Sequence, residues 1–223
     1  MCVLNKVRWY LSETVIKVFK RLRVFGWIRF RILRYGYKFF WRNSPRNGEW
    51  DFVLGWLRPL YKWQKATVLD VGSTDSLLIY ELLHRGYDVT GIDQRPYQEP
   101  NEHTQIVDVL DKFNIAPYHL KDDFGHMKEG FDYIVSVSVI EHVGLGAYQD
   151  NIDRDGDRVA LRNIRRNLTE DGYFLITLPN KHLNEDSGRG YSYQDFKELI
   201  KGLYNIVYFE ERSNQICAVL TKR

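Results

Sequence analysis

The chain carries two different patterns of apolar and polar residues. Between residues 12 and 40, apolar residues recur three and four positions apart with Lys and Arg between them, which is the spacing of an amphipathic helix. In the rest of the chain, short apolar runs alternate with segments of helical spacing. The first pattern predicts a helical N-terminal arm, residues 1–46, and the second predicts an α/β domain, residues 47–223. Residues 45–48, Pro-Arg-Asn-Gly, are predicted to form the linker.

Strands of the α/β domain are predicted from runs of β-branched and aromatic residues that are bounded by turn residues. The predicted strands are residues 67–71, 87–93, 104–109, 131–137, 173–178, 204–209 and 216–220. Predicted helices at 77–85, 159–168 and 193–203 alternate with them, which favours a parallel sheet. The last two strands are joined by so short a segment that they must be antiparallel. The sequence therefore predicts a doubly wound, mostly parallel seven-stranded sheet that ends in an antiparallel hairpin.

The formal net charge of +3 conceals a strong asymmetry along the chain. Residues 1–46 contain twelve Lys and Arg and one acidic residue, a net charge of +11, whereas residues 47–223 have a net charge of −8. With 223 residues, the chain is long enough for one large domain and an appendage. We therefore expect a mildly acidic domain joined to a strongly basic arm.

Three functions are open for the basic arm. Its apolar side could cover the domain while the Lys and Arg side faces solvent. Alternatively, the aromatic residues could enter the headgroup region of a membrane while the basic residues meet anionic lipid. The third function is nucleic-acid binding, through phosphate contacts and base stacking. A membrane-spanning helix is not expected, because Lys or Arg recurs too often for about 18 consecutive apolar residues.

The expected location is the cytoplasm, at the inner face of the membrane if the arm binds lipid. The N-terminus lacks the apolar run and the small-residue cleavage site of a signal peptide. Cys2 and Cys217, the two cysteines, stand at opposite ends of the chain and offer neither a disulfide framework nor the spacing of a metal site. The sequence gives no basis for predicting an oligomeric state.

Polar residues follow four of the predicted strands at their carboxyl ends, where ligands bind in open α/β sheets. Gly72, after the first strand, permits a tight turn and the close approach of a ligand. Asp93, after the second strand, is placed to accept hydrogen bonds from both hydroxyls of a ribose. Asp108 follows the third strand, and the segment 138–142, Ser-Val-Ile-Glu-His, follows the fourth. The absence of further glycines after Gly72 disfavours a nicotinamide cofactor, whose pyrophosphate needs close backbone approach.

These segments resemble the class I S-adenosylmethionine-dependent methyltransferases over about residues 50–223. The motifs that carry the resemblance are VLDVG at 68–72, GID at 91–93, FDYIVSVSVIEHV at 131–143 and LTEDGYFLITLP at 168–179. The stretch from Glu141 to Asp157 also looks like a subgroup of these enzymes associated with surface-glycan biosynthesis. The resemblance implies a Rossmann-like fold, S-adenosylmethionine as cofactor and methyl transfer as the reaction.

The resemblance also implies where the cofactor binds. Gly72 and its neighbours would pack against the amino-acid moiety, Asp93 would bind the ribose hydroxyls, and Asp108 would lie near the adenine. The expected cofactor-binding residues are Asp70, Gly72, Ser73, Thr74, Asp93, Gln94, Asp108, Val109 and Ser138.

Three residues are candidates for catalysis. Transfer to a hydroxyl needs an in-line acceptor and benefits from a general base. His142 is the first candidate for that base, with Glu141 as its orienter or as a substrate ligand, and His182 is the second. No metal site is predicted, because Ser138 stands where metal-binding relatives have an acidic residue. The segment 151–157 looks like half of a calcium loop, but Arg162 stands where that loop requires an acid, so we expect a helix-entry loop with Asp157 as N-cap.

The hypothesis that combines these features is an O-methyltransferase acting on a glycan or small-molecule hydroxyl, with the arm at an anionic membrane surface. One alternative is an RNA methyltransferase whose arm binds phosphates. It is less favoured because the domain is acidic and the fourth strand lacks the motif that grips an exocyclic base amine. The other alternative is a cofactor-binding protein without catalysis, since Thr74 and Ser76 replace glycines usual in the family's loop.

Overall fold

The computed structural model describes residues 45–61, 64–73, 78–93, 115–117, 130–146, 152–181 and 188–223. The predicted arm therefore lies outside the described residues, apart from its last two positions. The compact unit that contains the α/β body is Gly48–Arg223. Whether the arm is a separate functional segment stays a prediction. Within the described ranges, no helix has the length and apolar character needed to cross a membrane.

A seven-stranded mixed sheet forms the body. The helices are α1 (Pro45–Trp56), α2 (Leu78–His84), α3 (Gly156–Asn167) and α4 (Tyr193–Ile200). The strands are β1 (Thr67–Val71), β2 (Asp88–Asp93), β3 (Ile115–Pro117), β4 (Phe131–Val137), β5 (Leu168–Pro179), β6 (Tyr204–Arg212) and β7 (Gln215–Lys222). Their order in the sheet is β3-β2-β1-β4-β5-β7-β6, with β1 to β5 parallel and β7 antiparallel to both neighbours.

Helices cover both faces of the sheet. On β6, the ring of Tyr208 stacks against Phe52 of α1, whereas the ring of Phe209 packs against Tyr193 and Phe196 of α4. Because neighbouring residues of a strand point to opposite faces, α1 and α4 lie on opposite sides of the sheet. The central strands are accordingly buried on both faces, as in other doubly wound sheets.

Local sequence explains where the C-terminal elements begin and turn. Ser192 caps α4, because its hydroxyl accepts the backbone N–H of Asp195 while the Asp195 carboxylate accepts the backbone N–H of Ser192. The β6–β7 hairpin turns on Ser213 and Asn214, with φ of 51° and 66°. Two consecutive positive φ values are the geometry of a type I′ turn, whose twist suits a two-residue hairpin. The predicted antiparallel hairpin is confirmed, with a tighter turn than the sequence suggested.

Four predictions about the elements need correction. The predicted linker, residues 45–48, is the first turn of α1, where Pro45 is tolerated because the first helical N–H groups need no intrahelical partner. Strand β5 starts at Leu168 instead of residue 173, because Leu168 already pairs with Phe131 of β4. The register shift between Leu168 and Tyr173 is an irregularity inside the strand. The strand β3 (Ile115–Pro117) lies where the sequence pattern predicts neither a strand nor a helix. The strand predicted at 104–109 lies outside the described residues.

The fourth correction concerns Asp157. The helix α3 already begins at Gly156, its N-cap is Asp155, and no side-chain hydrogen bond caps it. Asp157 is instead a buried residue of the first helical turn that binds other side chains.

Candidate active site

The candidate site lies at the carboxyl ends of β1, β2 and β4. Strands β2 and β3 are added on one side of β1, whereas β4 and the later strands are added on its other side. The parallel strands β1 and β4 are therefore the place where the order of strand addition reverses. Open α/β sheets bind ligands in the crevice at this switch point. The tertiary structure therefore brings three of the predicted polar segments to one edge of the sheet.

The turn after β1 folds over the end of β2. The backbone N–H groups of Gly72 and Ser73 both donate to the Ile92 carbonyl, over 2.8 and 3.2 Å. Gly72 has φ of +80°, a conformation in which side chains other than glycine are strained. A Cβ on Gly72 would also lie 2.4 Å from a methyl carbon of Val139. The tight turn at Gly72 is thus confirmed, and the group that approaches it closely is Val139 of the segment after β4.

Two carboxyl groups lie buried at this edge. Asp70 of β1 is 2% exposed and Asp93, at the end of β2, is 8% exposed. Burial, and secondarily the charge of Asp93, raises the pKa of Asp70 to about 8. The Oδ2 atom of Asp70 has no hydrogen-bond partner among the residues that the structure describes. A buried polar atom in this state costs free energy, so a ligand with hydrogen-bond donors at this position would be favoured.

The segment after β4 begins at Ser138, which has a left-handed backbone, with φ of 51°. Its backbone N–H donates to the carbonyl oxygen and to the hydroxyl oxygen of Thr177, over 3.2 and 3.1 Å. Its hydroxyl donates to Oε1 of Glu49 over 2.5 Å. Ser138 lies at the predicted place, but its hydroxyl is engaged by α1.

Glu141 and His142 follow in a short 3-10 helix, Ile140–His142. Glu141 is buried, whereas the His142 side chain is 22% exposed. Nε2 of His142 lies 3.8 Å from Oε1 of Glu141, which is too far for a hydrogen bond but close enough for electrostatic attraction. The imidazole is thus partly exposed and lies next to a buried carboxyl group.

Arg189 joins the segments on the β4–β5 side of the site, and sequence reasoning missed it. Its backbone N–H donates to the Glu141 carbonyl over 3.0 Å, and its Nη1 donates to the Val143 carbonyl over 2.6 Å. Its Nη2 donates to the carbonyls of Asp153 and Arg154, over 3.2 and 3.3 Å. A single guanidinium therefore connects the segment after β4 to the entry of α3.

On the same side of the site, two backbone segments are in close contact. The N–H of Asp153 donates to the Gly144 carbonyl over 2.8 Å, and a Cβ on Gly144 would lie 2.2 Å from the carbonyl oxygen of Asp153. Gly144 has φ of +81°. Both the left-handed turn and the close approach require glycine here.

The structure places seven of the predicted site residues. Those are Asp70, Gly72, Ser73, Asp93, Ser138 and the pair Glu141–His142, all at this end of the sheet. The remaining ones, Thr74, Gln94, Asp108, Val109 and His182, lie outside the described residues. No cluster of three or more His, Cys, Asp or Glu side chains suited to a metal is found in the described ranges.

A sequence signal existed for each of the two residues that were missed. Glu49 stands on the same stripe of α1 as the buried Val53 and Leu57, and a charged residue in a buried stripe indicates a specific partner. Arg189 lies between two glycines, two positions before the buried Tyr191. An arginine in a glycine-rich loop near the predicted site is a signal for a side chain that donates hydrogen bonds to backbone carbonyls.

Comparison with known proteins identifies a family and a fold. The family model described as "Caenorhabditis protein of unknown function, DUF268" matches residues 70–223. No curated protein is significantly similar to the chain in sequence.

Three solved structures illustrate the similarity in fold. A TehB-like SAM-dependent methyltransferase from Corynebacterium glutamicum has 23% identity and a TM-score of 0.56, over 85% of this chain and 97% of the other. The 1,6-didemethyltoxoflavin-N1-methyltransferase of Burkholderia thailandensis, with bound S-adenosylhomocysteine, has 17% identity and a TM-score of 0.60, over 82% and 80%. The N-methyltransferase NodS of Bradyrhizobium japonicum has 15% identity and a TM-score of 0.57, over 82% and 91%. At these identities the similarity shows the fold, which is the Rossmann-like methyltransferase fold.

Proposed function

This chain belongs to the DUF268 family. From its methyltransferase fold and the carboxyl groups at its switch point we propose that it is an S-adenosylmethionine-dependent methyltransferase. The proposed acceptor is a hydroxyl group of a glycan or a small molecule. The solved structures of similar fold include methyltransferases that hold S-adenosylhomocysteine, the product form of that cofactor.

The observation that carries the proposal is the pair of buried carboxyl groups at the switch point. Asp93 ends β2 and Asp70 is the last but one residue of the neighbouring β1, and Oδ2 of Asp70 lacks a partner among the described residues. Two acidic groups at this place suit a ligand that offers hydroxyl and ammonium donors, as S-adenosylmethionine does. A dinucleotide is disfavoured by the absence of further glycines after Gly72, because its pyrophosphate needs close approach of the backbone.

The chemistry of the proposed reaction is a methyl transfer. The cofactor, when bound, supplies a methyl group on a sulfonium and accepts the electron pair of the S–C bond that breaks. The protein has to hold the acceptor oxygen in line with that bond and to remove its proton. In the proposed assignment the His142 imidazole takes the proton, and the neighbouring Glu141 carboxyl stabilises the imidazolium that forms.

The acceptor wall in this proposal is the region that Arg189 connects. It comprises the segment after β4 and the entry of α3 around Asp153. The half-buried Asp153 and the exposed Asp155 in this loop suit the hydroxyls of a sugar and disfavour a polyphosphate. This is why a glycan or small molecule is proposed over RNA, for a domain whose residues 47–223 carry a net charge of −8.

The proposed place of work is the inner face of an anionic membrane, in the cytoplasm. Its support is the net charge of +11 on residues 1–46 together with their aromatic content. The arm would keep the domain beside its acceptor without taking part in the reaction.

Calorimetry with S-adenosylhomocysteine tests the cofactor assignment. We expect binding by the wild-type protein and a loss of about tenfold or more in Asp93→Ala, since a hydrogen bond to a charged group is worth about 1.5–3 kcal/mol. The matched control is Asp88→Ala, at the exposed opposite end of the same strand, which should bind as the wild type does. Failure of the wild-type protein to bind either S-adenosylmethionine or S-adenosylhomocysteine would refute the proposal.

Binding by the full chain to liposomes and to RNA tests the location. Vesicles with anionic lipid should retain the protein, vesicles of neutral lipid should not, and reversing the charges of Arg21 and Arg23 to Glu should weaken retention. If the full chain binds RNA at physiological salt and ignores anionic vesicles, the membrane assignment is wrong and the RNA methyltransferase becomes the better hypothesis.

A further inference from the structure

We propose that Glu49 of α1 is a positioning residue that holds the segment after β4 in its cofactor-binding conformation. This inference rests on the proposed function and deepens it, because it connects a helix outside the sheet to the predicted cofactor site. Glu49 is 2% exposed and lies 89 residues before Ser138 in the chain.

The contacts of Glu49 are unusually concentrated. Its Oε1 accepts hydrogen bonds from the hydroxyls of Ser138 and of Thr177, each over 2.5 Å. These are O–H donors to a carboxylate oxygen, a class of hydrogen bond that is short and about twice as strong as a neutral one. One oxygen of one side chain therefore joins the carboxyl ends of β4 and β5.

The contacts close a ring. The hydroxyl oxygen of Thr177 donates to Glu49 and also accepts the backbone N–H of Ser138, over 3.1 Å. Ser138 is thus fixed at its backbone by Thr177 and at its side chain by Glu49. Because both hydroxyl hydrogens are directed to Glu49, the hydroxyl of Thr177 remains free to accept the N–H.

The ring explains how Ser138 keeps its backbone conformation. A residue other than glycine with φ of 51° carries a conformational cost of about 1–3 kcal/mol and persists only where its surroundings over-determine it. The three hydrogen bonds of Ser138 to Thr177 and Glu49 hold its backbone at this φ. Without the carboxylate, the extended conformation becomes the cheaper one and the segment after β4 changes direction.

The direction of that segment determines the shape of the candidate site. Val139, the next residue, packs against Gly72 of the turn after β1, and the 3-10 helix with Glu141 and His142 follows directly. A change at Ser138 therefore moves Val139 away from the turn and displaces the imidazole. Through Ser138 alone, Glu49 thus acts on the turn at Gly72 and on the position of His142.

The experiment compares Glu49→Ala with Glu49→Gln in the full chain, with S-adenosylhomocysteine as the probe. Glutamine can place its carbonyl oxygen where Oε1 lies and so keeps both hydrogen bonds, whereas alanine removes the acceptor of the buried Thr177 hydroxyl and of the half-buried Ser138 hydroxyl. Binding is measured by calorimetry at a temperature at which circular dichroism shows each variant to be folded. We expect the dissociation constant of Glu49→Ala to rise by about tenfold or more, and that of Glu49→Gln to stay within about threefold of the wild type.

A second variant covers the case in which Glu49→Ala does not fold. Ser138→Ala removes one of the two hydrogen bonds and leaves the one from Thr177, so the protein should fold and bind severalfold more weakly. The control is Ser192→Ala, a hydroxyl residue at the N-cap of α4, which should lower the melting temperature without changing the dissociation constant.

The outcomes separate the inference from the proposed function. A purely structural Glu49 would lower the melting temperature while the folded Glu49→Ala or Ser138→Ala protein bound as tightly as the wild type. That result overturns the positioning role and leaves the proposed function standing. A wild-type protein that binds no S-adenosylhomocysteine overturns the proposed function and the inference with it.

Discussion

Tyr191 donates its hydroxyl to Oδ2 of Asp157 over 2.8 Å, across 34 residues of chain. Burial, and secondarily the nearby Asp157 carboxylate, raises the pKa of Tyr191, so it remains a donor throughout the physiological range. Nε of Arg189 lies 3.6 Å from the same carboxylate oxygen. The helix α3 is thereby attached to the loop before α4, on the side of the site where we place the acceptor.

Replacement of this hydroxyl is expected to destabilise the fold. Tyr191→Phe leaves a buried carboxylate oxygen with a weaker set of donors and should lower the free energy of unfolding by about 1–3 kcal/mol. Urea unfolding measures the change. The matched control is Tyr193→Phe, a tyrosine two positions later that is 41% exposed and should change stability by less than about 0.5 kcal/mol. Equal losses of stability in the two variants would show that the hydrogen bond from Tyr191 to Asp157 does not stabilise the fold.

Arg189→Lys should loosen the acceptor wall although it keeps the positive charge. A lysine ammonium cannot reproduce the fork that reaches the carbonyls of Val143 and Asp153, so we expect a loss of about 2–4 kcal/mol in unfolding free energy. Hydrogen exchange should also become faster at the Asp153 amide, which donates to Gly144. Arg212→Lys, whose side chain is 47% exposed and pairs with Glu210, is the control and should be nearly silent. Unchanged exchange at Asp153 would show that the fork is not what holds the wall.

Gly72→Ala is expected to be strongly destabilising for two reasons. The positive φ strains any side chain, and the new Cβ would lie 2.4 Å from Val139. Urea unfolding should show a loss of more than about 2 kcal/mol. The control is Gly55→Ala, in α1, where a Cβ meets no atom within 4 Å and the helix propensity of alanine should make the change neutral or slightly favourable.

The double variant Gly72→Ala/Val139→Ala separates these two causes. Removing the Val139 methyl groups relieves the clash but leaves the strained φ, so part of the stability should return. If Val139→Ala restores nothing, the close packing of Val139 on Gly72 is not a source of the cost.

The raised pKa of Asp70 predicts a pH-dependent cost that Asp70→Asn removes. Because the folded-state pKa is about 8, against 3.8 for the ordinary group, the folded protein binds this proton more tightly. The corresponding stability is fully present below about pH 4 and is lost as the pH rises through 8. Asp70→Asn should therefore become increasingly more stable than the wild type between pH 5 and about 8, by about 1.36 kcal/mol per pH unit, and the difference should level off above pH 8.

Urea unfolding of the ligand-free protein at several pH values measures this difference. Asp88→Asn, at the exposed start of the same strand as Asp93, is the control and should track the wild type at every pH. A constant difference between Asp70→Asn and the wild type across this range would contradict the burial argument.

Much of the fold could be predicted from local pattern. The runs that became β1 and β4 are short, apolar and bounded by turn residues, and a strand buried on both faces has no other way to be encoded. The prediction was wrong where local and tertiary effects compete. Residues 45–48 are predicted as a linker, but Pro45 begins a helix, since proline is compatible with both a loop and a first helical turn.

Which acidic and polar residues stand at the ends of the strands can be read from local periodicity, because strand ends follow from a pattern that any short window contains. The contacts of those residues depend on how the elements pack. That Glu49 accepts from Ser138 and Thr177, and that Arg189 binds carbonyls from two other loops, depends on contacts between positions 36 to 128 residues apart. Such contacts arise when helices and loops pack onto the sheet, and no local pattern of hydrophobic and polar residues specifies them.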